Sequence, residues 1–369
     1  MSVSSIAAAD GIVSGKPRFR LDGDRREDLD ERLLRLEVCR RENGLDTLEA
    51  EFVHWGERMG RQPGFLLEGD HAVRLGTTLV IEAGEDEAQA TLFVGTVSRL
   101  AGVFSDGLPA TMRISAENAL MKLRMSRHTR SWSHSDDRRV MEAALSEHGS
   151  SATVDAPLAG GHEQYLQVNR TDLATFWERA EATDGRVEID EEGRVQVVPR
   201  RQSDRAAVEL EWFDDLISFE VTADLAHQRS EVQVHGYDRH HKRGVHGRAG
   251  SSVADAESPN RLTGPRVVED LDLDAVEHVH VEAPVTDDRA DDLARKLAMQ
   301  RARRFVRGHA TVVGTPGLRP GDDVDLQGLD AHFGGRYAVT SVRHVFDRTD
   351  GLRTHFACER PFLGDGGAA

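Results

Sequence analysis

RFVRGHATVVGTPGLRPGDDVDLQGLDAHFGGRYAVTSVRHVFDRTDGLRTHFACER, residues 304–360, is a run of strand-forming residues punctuated by turn signals. Gly314-Thr315-Pro316 and Pro320-Gly321 break it, Gly334-Gly335 precedes its longest strand candidate, and Asp350-Gly351 is a hairpin dipeptide. That spacing predicts four short strands. In the last of them Leu352, Thr354, Phe356 and Cys358 fall on one face, and Arg353, His355 and Glu359 on the other. A period of two marks a strand with one buried side and one wet side. The segment reads as built for assembly, with no sign of catalysis.

Working outward, Leu34, Leu36 and Val38 alternate with Arg35 and Glu37, Asn43-Gly44 supplies a turn, and Leu48, Ala50 and Phe52 return, which predicts a hairpin. A second strand pair is expected at Gly76–Glu82 and Ala90–Leu100, separated by an acidic loop at Glu85–Glu87. Residues 1–30 show no period and read as a flexible N-terminal extension. Helices enter between Ser115 and Arg201. One is expected over Asp136–Glu147, with Ser135 as its N-cap and Gly149 as its stop. Another follows Thr171, where Leu173, Phe176, Trp177 and Ala180 make one apolar stripe; Gly185 closes it before a hairpin bearing Val187 and Ile189 against Val195 and Val197. Strands resume at Ile217, Phe219 and Val221 and at Val232 and Val234, followed by a polar stretch, His240–Asn260, expected as an exposed loop. Thr286 then caps a helix that begins with Asp287, Asp288, Asp291 and Asp292 and ends with Arg301, Arg303 and Arg304, the charge order a helix dipole favours.

Composition bounds the possibilities. At 369 residues the chain is long enough for two or three packing units. Its 64 acidic and 47 basic residues give a formal charge of −17, which argues against a general binder of nucleic acid or anionic membrane. No basic run, no secretory leader and no apolar span of about 20 residues is present, so specific nucleic-acid binding and stable membrane insertion are not expected. Two cysteines, Cys39 and Cys358, are too few for a disulfide framework and fit a reducing compartment; a bridge between them is the minor alternative to two plain strand residues.

Motifs that would name a reaction are missing: no phosphate loop, no zinc-protease His pair and no nucleophile elbow. Among 17 histidines the densest group is His235, His240, His241 and His246 in HGYDRHHKRGVH; adjacent histidines point apart and cationic neighbours oppose a dication, so a solvated loop is the expectation. His278 and His280 would share one strand face but have no third ligand defined by sequence. Asp184, Glu188 and Asp190 could supply a glycosidase-like carboxylate pair, yet abundant acids usually form a solvated face. Phe176 and Trp177, at helical spacing with Leu173 and Ala180, read as core in preference to a ligand platform. The site expectation is therefore empty: no catalytic, cofactor-binding or metal-binding residue, no cofactor, and no enzyme.

The order Gly314-x-Pro316-x-Leu318-x-Pro320-Gly321, then Gly328, Gly335-x-Tyr337 and Val342-Arg343-His344-x-Phe346, resembles the C-terminal barrel of the phage late control D family. These are baseplate hub proteins of contractile tails, which also form the first half of VgrG-type spike proteins. Phe93-Val94-Gly95 with Val97, the Asp172-Leu173-x-x-Phe176 helix before its hairpin, and Gly236-Tyr237-Asp238, where the family carries Trp in place of Tyr, extend the likeness. The resemblance implies an α+β, mainly β fold: two tandem tube-like β-barrels with an inserted α+β module. Its parts would be an N-terminal extension (1–30), a first β-barrel (31–114), a middle module (115–201) and a second barrel (202–369). The second barrel would combine the Leu216–Tyr237 strands with Arg307–Arg360 and include the exposed loop 240–260 and the helix 287–304. It further implies a homotrimer that adapts a six-fold tail tube to a three-fold spike, with a tail tube protein, a separate spike protein and baseplate wedge proteins as partners. The chain would be cytoplasmic during assembly and then part of a phage tail or injection particle. A baseplate-associated cell-wall hydrolase and a free-standing partner- or carbohydrate-binding β-protein are the alternatives.

Overall fold

Gly335–Asp347 is the strand on which the molecule is organised. Along one edge it pairs antiparallel with Gly351–Arg360, and along the other with Leu33–Arg41 from the opposite end of the sequence. The computed structural model describes residues 16–58, 61–84, 90–156, 162–190, 192–201, 206–281 and 286–364. Through that strand both ends of the chain join one 13-stranded sheet. Its path runs Leu216–Ala223, Val306–Val313, Gly351–Arg360, Gly335–Asp347, Leu33–Arg41, Thr47–Val53, Thr111–Glu117, Ala90–Val103, Thr78–Ala83, Arg18–Leu21 and Asp24–Arg25, with Asp323–Gln327 and Val208–Glu211 branching from Gly335–Asp347. The fold is mainly β. Among the described residues the pairings trace a branched path and close no ring.

The core, unlike the sheet, is divided. Phe19, Leu36, Val38, Phe52, Ile81, Phe93 and Ile114 pack as one buried cluster in the N-terminal half, with Phe19 edge-on to Phe52 at 5.2 Å. Leu216, Val306, Val312, Val324, Tyr337, Val342 and Phe356 pack as a second. Among the described residues five helices accompany the sheet: α1 (Glu27–Arg32), α2 (Asp137–Ser146), α3 (Asp172–Ala182), α4 (Gly264–Asp270) and α5 (Asp287–Arg303). Helices α2 and α3 cover the strands Gly185–Ile189 and Val195–Pro199, and Leu120, Met141, Leu145, Phe176, Val195 and Val197 form a third cluster there.

The local patterns produce the predicted elements. Asp347 faces Gly351 across the last hairpin, and Gly351 takes φ +68°, a conformation open to glycine at no steric cost. Leu352, Thr354, Phe356 and Cys358 are buried while Arg353 and His355 are half-exposed, but Glu359, expected on the wet face, is buried where Arg200 and Arg201 pair with it. In the first hairpin Leu36 faces Ala50 and Val38 faces Leu48, but a bulge between Leu33 and Arg35 turns Leu33 inward in place of Leu34. Thr171 caps α3, its hydroxyl accepting from the Ala174 amide.

Other elements differ from the reading of the sequence. Within the expected N-terminal arm, Arg18–Leu21 is a strand paired with Thr78–Ala83, followed by α1; four residues of alternation are too few to stand out in sequence. Asp136, and not Ser135, caps α2 by accepting from the Arg139 amide, and Thr286 sits at the N-cap of α5 without a side-chain bond. Residues 1–15, the acidic loop expected at Glu85–Glu87 and residues 365–369 lie outside the described residues.

The largest correction concerns residues 231–260. Glu231–Asp238 was expected beside the Leu216 strand in the second barrel, but it forms a separate sheet with Arg243–Gly250 on one side and Val276–His280 on the other. The exposed loop expected at 240–260 is thus largely a strand, continued by a 3-10 helix at Ser251–Ala256. Its buried residues are Val245, Gly247 and Ala249, small because α5 lies directly on them: a Cβ on Gly247 would fall 2.1 Å from the Ala290 carbonyl carbon. Close approach of the helix strips the strand of the bulky alternation by which a strand is recognised.

Candidate functional site

The wet face of the large sheet is a ladder of charges that pair among themselves. Glu37 lies 3.0 Å from Arg35 and 3.8 Å from Arg343 on the neighbouring strand. Glu49 is 3.8 Å from Arg99, and Glu51 is 3.3 Å from Arg113. Burial pushes the Glu37 carboxyl up, but the Arg35 hydrogen bond and the Arg343 charge outweigh it and hold it below its ordinary value. The face continues across the junction of the two halves through Ser341, Thr311 and His355, whose hydroxyl and ring nitrogen are 3.0 Å apart in the Thr311–His355 pair. Opposite charges on adjacent strands support the pairing and leave a broad polar surface without a field of one sign.

At the end of this sheet large apolar side chains also reach solvent. Among the described residues the terminal strand Leu216–Ala223 has one strand neighbour, Val306–Val313, besides an isolated Trp212–Leu216 bridge, and Ile217 is 49% exposed. Just before it, Trp212 and Phe213 stack at 4.2 Å, exposed by 44% and 86%, and Phe213 holds φ +73°. A left-handed aromatic residue in solvent costs backbone energy without burial to offset it. Sequence reading passed over this knob because EWFDDLI has no period to flag it.

The histidines regroup. His235 and His246 face each other across one strand pair, with Nδ1 to Nδ1 2.9 Å. On the other side His280 faces His235 with rings stacked at 5.1 Å, and His278 Nδ1 lies 3.0 Å from His235 Nε2. Two groups that the sequence kept apart thus become one quartet, on the face of the small sheet opposite α5. Burial and the neighbouring His246, His280 and His278 charges hold the His235 ring below its ordinary value. His240 and His241 leave the group: His241 Nδ1 is 2.7 Å from Asp238, whose carboxylate also accepts the His240 and His241 amides. Those hydrogen bonds hold Asp238 at about 2.

The other candidates are dispersed. Asp184 pairs with Arg303 at 2.6 Å, Asp190 with Arg194, and Glu188 with Arg186, so each acid has its own guanidinium. Phe176 is fully buried and packs edge-on with the partly buried Trp177 at 5.6 Å. Cys39 and Cys358 are free thiols; burial and Glu37 push Cys39 up to about 11, and burial pushes Cys358 up.

A convergence that the sequence did not signal lies at the N-terminus of α3. Carboxylates of Asp172 and Glu147 and the His128 ring come close enough to share an ion. Arg130 already pairs with both carboxylates, however, while Gln167 Nε2 donates to Asp172 at 3.0 Å and His148 Nε2 lies 3.0 Å from it. Burial pushes Asp172 up, but the bonds from Gln167 and His148 and the Arg130 charge prevail and hold it below the usual carboxylate range. This is a structural ion network that ties α3 to the strand Arg127–Ser135 and to the end of α2.

The sequence matches the family described as the Alg8 N-terminal domain over residues 62–347. No curated protein matches the chain. Among solved structures the fold is similar to the 43 kDa tail protein of prophage MuSo2 from Shewanella oneidensis, with 12% identity and a TM-score of 0.68, covering 94% of this chain and 99% of that one. It is similar to a tail protein from Neisseria meningitidis MC58, with 13% identity, a TM-score of 0.66 and coverages of 94% and 97%. The E. coli c3393 protein, a component of the type VI secretion system with structural similarity to T4 bacteriophage tail proteins gp27 and gp5, shares 12% identity at a TM-score of 0.56, over 91% of this chain and 76% of its own. At these identities the likeness is one of fold.

Proposed function

The chain belongs to the family of the Alg8 N-terminal domain, a membership that does not itself point to a tail; from the fold it shares with phage tail proteins we propose that it is the structural hub of a contractile tail or contractile injection system. In this reading three copies assemble into a ring. Each chain contributes two similar halves, so the ring offers six tube-like surfaces to a tail tube and three-fold symmetry to a spike protein.

The observation that carries this reading is the single sheet that crosses both halves, with its core divided in two and its polar face continuous. A sheet shared by both halves fixes their relative orientation, which a symmetry adaptor requires. Its exposed terminal strand, Leu216–Ala223, and the Trp212–Phe213 knob are the surface that a second copy would cover, because an uncovered apolar edge invites pairing. The self-paired charges of the polar face suit a lumen or a tube contact through which cargo passes without sticking. The halves correspond to the first barrel at 31–114 and the second within 202–369, with the module at 115–201 placed outside, toward the wedges. The chemistry is assembly, not turnover.

To test this, the chain is tagged in its native host, large particles are pelleted from a gentle lysate, and co-sedimenting proteins are identified by mass spectrometry. Recovery with sheath, tube and spike proteins at low copy number is expected. Recovery only from the soluble fraction, alone, would overturn the hub reading and direct attention to the hydrolase and free-standing binding alternatives.

A further inference from the structure

We infer that His235, His246, His278 and His280 form a binding site for a borderline divalent transition metal, of the class of Zn2+ or Ni2+. The site spans three strands, and each strand's register places its imidazoles there: His235 is opposite His246 on one side and opposite His280 on the other, with His278 two residues before. Histidine is the ligand that zinc and nickel share, and a tetrahedral zinc at about 2.0–2.1 Å from each nitrogen holds two ligand nitrogens about 3.3 Å apart. The pairs in this sheet stand at 2.9 and 3.0 Å, a few tenths of an ångström from that separation.

The donor set chooses among metals. Every group in the quartet is an imidazole; Asp238 is occupied by His241 and two amides, and Glu277, next to His278, is occupied by Arg301. Hard cations such as Mg2+ and Ca2+ take oxygen ligands and would find none in the quartet. Each neutral imidazole carries one N–H and one lone pair, so His235 bridges its neighbours by donating on one side and accepting on the other. For a metal to enter between two of these nitrogens, the ring that donates there carries its proton on its other nitrogen, and the metal is then held by two rings from different strands. Water fills the rest of its shell. Arg248 on the same strand as His246 is the opposing charge, and it lies opposite Gln233, two pairs along from the His235–His246 pair. The His128, Glu147 and Asp172 group makes a poorer site, because a dication there must first displace Arg130.

The inference does not depend on the hub reading, since the isolated chain carries all four rings. The untagged, chelator-treated full-length chain is titrated with Zn2+ and with Ni2+ by calorimetry, with Mg2+ and Ca2+ as controls, and its thermal midpoint is followed in parallel. Saturable uptake of the transition metals alone, with a higher midpoint, is expected. Losing a ligand should weaken it by at least the roughly 10–100-fold that losing an outer-shell partner costs, so His235→Asn should fall by that much or more. His278→Gln, on an exposed edge strand, is the second variant if His235→Asn does not fold. The double variant His240→Ala, His241→Ala should bind like the unaltered chain. Absence of saturable uptake, uptake indifferent to both ligand variants, or loss of uptake in the His240, His241 double variant would each overturn the site.

Discussion

At position 344 the fold places an imidazole with no exposed surface, its Nδ1 3.0 Å from the Thr354 hydroxyl. Burial, and then the Arg40 charge, hold its pKa down at about 3. In the unfolded chain the same ring titrates near about 6.5. Between those values the unfolded state binds the extra proton, so stability is full above the unfolded value and falls as pH drops toward the folded one. Urea midpoints should therefore decline from pH 7 to pH 5, and His344→Asn, which keeps a polar partner for Thr354, should flatten that slope; an unchanged slope would assign the effect elsewhere. Phe213 is the opposite case, a large residue held in solvent at φ +73°. Phe213→Gly should stabilise the isolated chain by about 1 kcal/mol through relief of the left-handed backbone, while weakening self-association. If both stability and association fall, the knob belongs to the fold and not to an interface.

At the scale of elements, Arg303 shows how separate pieces are tied. It stands at the last turn of α5 and is 3% exposed. Its Nη1 and Nη2 reach Asp184 at 2.6 and 2.7 Å, just after α3, and its Nε lies 3.0 Å from both Glu257 oxygens, just after the 3-10 helix Ser251–Ala256. One guanidinium thus joins the middle module to the small sheet. Removing it strands the Asp184 carboxylate and leaves Glu257 with Arg201 alone, and Arg303→Ala should cost about 3–5 kcal/mol, the usual penalty for breaking a buried pair. Arg303→Lys keeps the charge but not the planar fork and should recover only part of the loss. Chemical denaturation of both variants measures it; equal, small losses would mean that the clamp is dispensable. In sequence Arg303 was legible only as a dipole-favouring residue at a helix end. Its partners lie 119 and 46 residues away, beyond any local pattern.

At the scale of the molecule, the exposed terminal strand sets the prediction. Ile217 is half-exposed on that strand, so Ile217→Lys should leave the chain folded but reduce its mass by light scattering from that of three chains to that of one. A trimer that survives this change would place the subunit contact elsewhere. The strand Gly335–Asp347, and not this edge, explains why the two halves are hard to delimit from sequence. Leu33–Arg41 pairs with Gly335–Asp347, so the boundary drawn between two separate units runs through a hydrogen-bonded ladder.

The sequence by itself determined the strands of residues 304–360, the hairpin at Asp350-Gly351, and the stripe of α3, because each depends on the order of polar and apolar residues within one element. Turn residues and periodicity act over a few residues and are visible there. Only the tertiary structure decided that Glu231–Asp238 leaves the large sheet, that Arg243–Gly250 is a strand beneath α5, and that His235 and His246 meet His278 and His280. Periodicity states which face of a strand is buried and never which strand lies beside it. Choice of neighbour follows from how whole surfaces fit, here from a glycine small enough to let a helix settle on the sheet and turn four imidazoles to the other side.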